Sequence, residues 1–368
     1  MWSKLARDSL ICILHFATLK ELTQVHAHVN KSWNSATKVR HAWRYVTVPL
    51  NSRPPEVYGR SIQNVAFKES WIYSDVFKYH HHIVRYSHYS CNVTAVPAHV
   101  YQFLEELTID MSGRYTFVQW HDLCKFLPST LKQITLKKQF DLPVEIGLAK
   151  FSESLERLKL VGFTCVSSST YPKLTHLTLA QTSLSSIKFI APNLTSLTLK
   201  RVVTQTYTFV MAEFLPASSN LKYFSYGHER ERQTQYNTIL AARAIMPSIA
   251  RSIVSLEFIG ALKSVEMFPY LEVAGIHVNK RPWNNRMSTP RLTHLKLVAG
   301  VADFAFVEYY KSIVQQIGVL TILIELNEFV GMFVRKCCNL KMIRTNAKCL
   351  FEICNWIDPH VRIIQENL

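Results

Sequence analysis

Three apolar residues spaced as Leu-x-x-Leu-x-Leu recur along this chain of 368 residues. The clearest copies are Leu155, Leu158 and Leu160; Leu174, Leu177 and Leu179; Leu194, Leu197 and Leu199; and Leu292, Leu295 and Leu297. The first three copies begin 19 and 20 residues apart. Because alternate residues of a strand share a face, each triplet predicts a short strand with one buried face. A unit this short cannot bury its apolar edge alone, so the recurrence predicts units that stack on one another.

Weaker copies fill most of the intervals once aromatic and β-branched residues are allowed in the same positions. They begin at Leu104, Leu131, Leu221, Ile253 and Leu271, with looser ones at Ile62, Ile83, Ile317 and Leu340. Successive starts are then 18 to 32 residues apart, which is the period of leucine-rich repeats with irregular insertions. We therefore predict an α/β leucine-rich-repeat solenoid with a curved parallel sheet.

Proline stands two residues ahead of four triplets, at Pro172, Pro192, Pro269 and Pro290. Proline ends the preceding segment and keeps the chain extended into the next strand. The alternative, an ordinary leucine-rich α/β domain, would not place proline at this point so often. The prolines therefore favour the repeat interpretation.

The net charge favours an acidic partner. Lys and Arg number 42 against 26 Asp and Glu, which gives a formal charge of +16. Nucleic acid, an acidic or phosphorylated protein, and an anionic membrane surface all fit this excess, and charge alone does not choose among them. No apolar run approaches the roughly 18 to 20 residues of a membrane helix, so we expect no membrane span.

The cysteines predict a reducing compartment. The eight cysteines contain no C-x-x-C pair and no zinc-ligand spacing, so we expect reduced thiols and a cytoplasmic or nuclear protein. A mitochondrial presequence stays open as an alternative, because residues 1–16 combine two basic residues with a periodic apolar face.

The first 45 residues differ from the repeats, since their apolar residues have the spacing of short amphipathic helices. The segment resembles an F-box in the residues Leu5, Asp8, Leu10, Ile13, Leu14, Lys20, Glu21, Leu22, Val25, Val29, Lys31, Ser32 and Trp33. It departs from the family where Ala6 replaces a proline, where Asn30 replaces a cysteine, and in placing Trp33 one residue later than usual. We predict an F-box-like helical domain over residues 1–45 and irregular leucine-rich repeats over residues 46–368.

This order of segments is that of F-box/leucine-rich-repeat proteins, and the resemblance implies a partner. The F-box of that family binds the Skp-type adaptor of a cullin-based (SCF-type) ubiquitin ligase. The residues implied in this contact, or in the core beneath it, are Leu5, Leu10, Ile13, Leu14, Leu22, Val25, Val29 and Trp33. The alternative is that these helices are only the polar-faced cap that a solenoid needs at its N-terminus.

The residues between the leucines of each triplet point away from the core and predict the ligand-binding surface. At the positions that alternate with the apolar residues along each strand and directly after it, eight residues are basic and three are acidic, a larger basic excess than in the whole chain. The basic ones are Lys68, Arg85, Lys137, Arg157, Lys159, Lys200, Lys296 and Arg344, and the acidic ones are Glu106, Asp110 and Glu257. The candidate substrate-binding residues on this concave face are Lys137, Arg157, Lys159, His176, Lys200, Tyr223, His294 and Lys296. Such a surface suits an acidic or phosphorylated protein. A solvated face whose lysines only keep the sheet soluble is the alternative.

Motifs of catalysis are absent from the sequence. It has no Gly-rich phosphate loop, no G-x-S-x-G and no H-E-x-x-H, so we expect no enzyme activity, no catalytic residues, no metal and no cofactor. Residues 80–82, three consecutive histidines, are expected at the surface because their side chains alternate in direction. We also predict a helix over residues 234–246 and an exposed basic loop over residues 280–286.

The resemblance to F-box/leucine-rich-repeat proteins implies a substrate-recognition subunit of a ubiquitin ligase, in which other subunits perform the chemistry. The N-terminal helices would bind the Skp-type adaptor and cullin complex, and the repeats would bind the target protein. The alternative is a non-catalytic basic leucine-rich-repeat scaffold in a nucleic-acid-containing assembly. Nucleic acid is a partner only under that alternative.

Overall fold

The computed structural model divides into two compact units. The first comprises Met1–Leu174 with Ser186–Phe189, and the second Thr175–Ser185 with Ile190–Leu368. The structure describes residues 9–10, 14, 22, 29, 31–37, 47–49, 64–67, 83–88, 98–111, 117–138, 144–165, 169–182, 189–200, 220–227, 249–259, 268–278, 290–299, 316–324, 334–335, 337–345 and 358–365. Each unit is a parallel β-solenoid.

The described part of the first unit contains six strands that pair in parallel, each with the next. They are β1 (Thr47–Pro49), β2 (Asn64–Phe67), β3 (Arg85–His88), β4 (Glu106–Met111), β5 (Gln133–Lys138) and β7 (Arg157–Val161). A smaller parallel pair joins β6 (Val144–Ile146) to β8 (Phe163–Cys165). The other elements are α1 (Lys31–Thr37), α2 (Phe117–Phe126), β9 (Ser169–Thr170) and 3₁₀ turns at Ala98–Tyr101 and Ala149–Phe151.

Nine strands in the described residues of the second unit form its parallel ladder. They are β10 (His176–Ala180), β12 (Ser196–Lys200), β13 (Tyr223–Tyr226), β14 (Ser255–Ile259), β15 (Val273–Val278), β16 (His294–Ala299), β17 (Val319–Ile324), β18 (Met342–Thr345) and β19 (Arg362–Gln365). The two-residue strand β11 (Phe189–Ile190) spans the boundary between the units in the sequence.

The strand register stacks the central residue of each triplet into one buried column per unit. In the second unit, consecutive register partners are Leu177, Leu197, Phe224, Leu256, Ala274, Leu295, Leu320 and Ile343. In the first unit they are Tyr86, Leu107, Ile134 and Leu158. All of these side chains are at most 2% exposed. The prediction that the recurring apolar residues share an interior column is therefore confirmed.

A tight turn delivers the first leucine of several triplets into the core. The amide of Leu174 donates to the carbonyl oxygen of Tyr171 at 3.2 Å, and the amide of Leu194 donates to that of Ala191 at 3.2 Å. Pro172 therefore occupies the second position of a four-residue turn, where the fixed φ of proline is favourable. The proline thus favours the turn that precedes the triplet. The sequence alone predicts an extended chain at this position.

Gly162 is required by its backbone conformation. Its φ is +76°, and a Cβ atom there would lie 3.0 Å from the carbonyl oxygen of Lys138. We expect Gly162→Ala to lower the free energy of unfolding by about 1 to 3 kcal/mol, because an L-residue is strained in this region. Urea denaturation followed by circular dichroism measures this change.

Gly147→Ala is the matched control, because a Cβ atom at Gly147 meets no atom within 4 Å. Alanine also restricts the unfolded chain, so this variant should be as stable as the unaltered protein or slightly more stable. Equal losses of stability in both variants would contradict the conformational argument.

Several predictions fall on residues that the structure leaves undescribed. These are the helix over residues 234–246, the basic loop over residues 280–286 and the three histidines at residues 80–82. The division of the chain at residue 45 also stays a prediction. Among the described helices, none has the length and apolar character needed to cross a lipid bilayer.

Candidate functional site

Two carboxylates of β4 pair with cations on the neighbouring strands β3 and β5. Nε of Arg85 forms an ion pair with Glu106, at 2.8 Å from its Oε1. Nζ of Lys137 donates a hydrogen bond of 2.9 Å to Oδ2 of Asp110. The predicted binding residue Lys137 therefore already has an acidic partner, and the outward face is less positive here than the sequence count suggests.

The ladder strand β7 of the first unit presents two cations on one face. Arg157 and Lys159 are exposed and alternate with the buried Leu158 and Leu160. Their register partners on β5 are Gln133 and Thr135, which are uncharged. The structure thus brings these two predicted binding residues together, and an anionic group could contact both side chains at once.

Two predicted binding residues of the second unit, His176 and His294, share a local geometry. Each follows a threonine, and the threonine Oγ1 lies 2.8 Å from the imidazole Nδ1 in both cases. Oγ1 of Thr293 also donates to the carbonyl oxygen of Glu272 at 3.4 Å. Assigned from this network, Nδ1 of His294 donates to Oγ1, which leaves Nε2 as the acceptor of the neutral ring.

An outward row of the second unit carries aromatic and apolar groups beside these histidines. Tyr223, Ser255, Val273 and His294 are consecutive register partners on β13 to β16. Tyr223 is 51% and Val273 is 37% exposed, so the row offers contact area as well as hydrogen bonds. The sequence analysis missed Val273, although a valine at a position between two triplet residues is a signal that could have identified it.

A polar network connects three strands on the same face. Oγ of Ser225 donates to Oε2 of Glu257 at 3.1 Å, and Oε1 of Glu257 lies 3.6 Å from Nζ of Lys296. Lys296 is the predicted binding residue in this group. Lys200, the remaining candidate, is half-buried at the end of β12, where it pairs in register with Ala180.

The predicted adaptor-binding residues separate into interior and surface positions. Leu10, Leu14, Leu22 and Trp33 are buried, between 0% and 5% exposed, whereas Val29 is 50% exposed. Burial makes the first four part of a core, so they cannot contact a partner without rearrangement. The other three candidates, at positions 5, 13 and 25, lie outside the described residues.

Burial suppresses the reactivity of two cysteine side chains. It raises the pKa of the Cys124 thiol to about 12, and burial together with neighbouring Cys338 raises the pKa of the Cys337 thiol to about 12. A thiol with this pKa stays protonated at neutral pH and is a poor nucleophile or metal ligand. In the part of the chain that the structure describes, no three His, Cys, Asp or Glu side chains form a metal-binding group.

The outward faces of the two units, each taken by itself, can therefore bind a partner through charge, hydrogen bonds and exposed side chains. No protein-family model matches the chain, and no curated protein matches it either. Its function is therefore inferred from its residues and their geometry.

Proposed function

We propose that this protein is a substrate-recognition subunit of a cullin-based ubiquitin ligase of the SCF type. Its N-terminal helices, a divergent F-box, bind the Skp-type adaptor. Its leucine-rich repeats bind an acidic or phosphorylated target protein, in the cytoplasm or nucleus. The protein itself performs no chemistry and needs no cofactor, because the other subunits of the ligase carry out ubiquitin transfer.

The alternation of burial along the ladder strands is the observation that carries this proposal. Residues of β5 and β7 in the first unit and of β12 in the second alternate between buried and accessible positions, so each of these strands presents alternate side chains to the solvent. Repeat proteins of this kind bind partners over such extended faces. The exposed row residues are charged, aromatic or hydrogen-bonding, which fits recognition of another protein.

The adaptor contact is supported by the N-terminal sequence pattern and by the exposure of Val29. An apolar side chain that is 50% exposed beside a buried core is available to a partner. Of the described adaptor-binding candidates, Val29 is thus the exposed one, on which a substitution tests adaptor binding without disturbing the core.

We expect Val29→Asp to reduce co-purification of the Skp-type adaptor with the full chain at least about tenfold, because a charge in an apolar contact must be desolvated. Phe126→Asp is the matched control. Phe126 is 51% exposed at the end of α2, and the aspartate there should leave the adaptor yield unchanged.

The thermal midpoints of both variants should stay close to that of the unaltered chain, since neither side chain is buried. Equal adaptor yields from Val29→Asp and the unaltered chain would contradict the proposed contact. Equal losses from both variants would show that exposed apolar residues in general, and not the N-terminal segment, hold the adaptor.

The net charge of +16 favours a second candidate function, a basic scaffold in a nucleic-acid-containing assembly. Binding to RNA would then weaken steeply with salt, because each neutralised phosphate releases a counterion. A slope of log affinity against log salt near zero would exclude this candidate. A steep slope together with no adaptor binding would favour it over the ligase subunit.

A further inference from the structure

A glycine allows two opposite charges to meet across an intervening strand of the second unit. Glu257 on β14, Gly275 on β15 and Lys296 on β16 are consecutive register partners. Gly275 has no side chain between them, and a Cβ atom there would lie 3.0 Å from Cγ of Glu257. The Glu257 side chain therefore lies over Gly275 and brings Oε1 to 3.6 Å from Nζ of Lys296.

The contact between Glu257 and Lys296 is weak enough to be exchanged. The distance of 3.6 Å exceeds that of a good charge-assisted hydrogen bond. The side chains of Lys296 and Glu257 are 40% and 31% exposed, so water and salt screen the attraction. Another anion of similar geometry could therefore replace the Glu257 carboxylate at Lys296.

Glu257 has a hydrogen-bond donor in place that does not depend on Lys296. Oγ of Ser225 donates to its other carboxylate oxygen at 3.1 Å. When an incoming anion displaces the carboxylate from Lys296, the hydrogen bond from Ser225 can be retained. Exchange at Lys296 therefore does not require this second bond of Glu257 to break.

The surroundings of Lys296 favour an anion. The exposed Arg344 on β18 continues the register row of Lys296, because both residues pair with Thr321 on β17. Among the described outward positions of β14 to β17, Glu257 is the sole carboxylate. Lys296 and Arg344 thus outnumber the one carboxylate of this row, and the excess positive charge is complementary to an acidic or phosphorylated segment.

We propose that Glu257 is an internal competitor, whose carboxylate occupies Lys296 until a carboxylate or phosphate group of a bound peptide displaces it. The proposal rests on the proposed function in taking an acidic target as the occupant. Glu257 then sets a threshold: a peptide must supply an anion that binds Lys296 better than the internal carboxylate does.

Fluorescence anisotropy with the full chain tests this exchange. The probes are a labelled ten-residue glutamate-rich peptide, the same peptide with phosphoserines in place of glutamates, and a glutamine version. We expect Glu257→Gln to tighten binding of an anionic peptide by about twofold to fivefold. Gly275→Ala should also tighten it, because the added methyl group displaces Glu257 while leaving every charge in place.

Two further variants separate competition from a general change in charge. Glu272→Gln removes the same charge from an exposed residue just before β15, and it should change affinity less than Glu257→Gln does. Lys296→Gln should weaken binding, and adding Glu257→Gln to it should then bring little further gain, because the two substitutions act on one contact.

Tighter binding of either anionic peptide by the Glu257→Gln and Gly275→Ala variants supports the proposal. The peptide whose affinity rises more identifies carboxylate or phosphate as the preferred anion. Equal effects of Glu257→Gln and Glu272→Gln, or no gain from Gly275→Ala in a folded variant, would overturn it. Absence of binding by the unaltered chain and by every variant would overturn it too. Adaptor co-purification is scored separately, so failure of this proposal is distinguishable from failure of the proposed function.

Discussion

Replacing Leu197 with alanine should lower the free energy of unfolding by about 2 to 5 kcal/mol. Leu197 is 0% exposed and stacks between Leu177 and Phe224 in the interior column. Removing its side chain leaves a cavity that the side chains of the neighbouring strands cannot fill, because hydrogen bonds between the parallel strands fix their backbones. The loss is therefore expected near the upper part of this range.

Urea denaturation measures the loss, and Thr198→Ala is the matched control. Thr198 follows Leu197 on β12 but faces outward and is half-buried, so its replacement should change stability by about 0.5 kcal/mol or less. Each repeat contacts only its neighbours, so hydrogen exchange in the Leu197 variant should increase more in β10, β12 and β13 than in β16. Similar losses in the two variants would contradict the assignment of the column.

Replacing Trp120 with alanine should destabilise the first unit by about 3 to 5 kcal/mol. Trp120 is 1% exposed and is held on two sides. Its Nε1 donates to the carbonyl oxygen of Gly147 at 2.9 Å, and its ring meets that of Phe151 edge to face with centroids 6.5 Å apart. The substitution removes both contacts, which join α2 to the residues that follow β6.

Trp120→Phe separates the hydrogen bond from the apolar packing. Phenylalanine retains a ring in the same site but has no N–H, so we expect a smaller loss of about 1 to 3 kcal/mol. Urea denaturation of the two variants side by side gives the comparison. An alanine variant as stable as the phenylalanine variant would contradict the interior position of this ring.

The repeat architecture could be predicted because its periodicity is local. Leu155, Leu174 and Leu194 begin triplets about one repeat apart, and the spacing alone determines which side chains share a face. The structure places all three in the core, at most 1% exposed. Even the loose copies at Ile83 and Ile317 proved to be interior, since both are 0% exposed.

The pairing of charges could not be predicted, because it depends on register between residues far apart in the sequence. Lys137 and Asp110 meet on adjacent strands, and Lys296 and Glu257 meet across a third strand only because Gly275 lies between them. Counting basic residues at outward positions therefore overestimated the charge that is available to a ligand.

The roles of the N-terminal apolar residues could not be separated for a different reason. Leu10, Leu22 and Val29 fit one amphipathic pattern, and spacing does not distinguish a side chain that fills a core from one that contacts a partner. Burial makes that distinction: the two leucines are at most 1% exposed, and Val29 is 50% exposed. Adaptor binding itself stays a prediction.

The central claim is that the N-terminal segment binds the Skp-type adaptor of a ubiquitin ligase. Isothermal titration of the purified adaptor into the purified full chain measures this most directly. We expect a saturable complex with one adaptor per chain, whose affinity falls when Val29 is replaced by aspartate and is unchanged by substitutions at Glu257 or Lys296. No measurable binding, or equal binding by a chain that lacks residues 1–45, would contradict it.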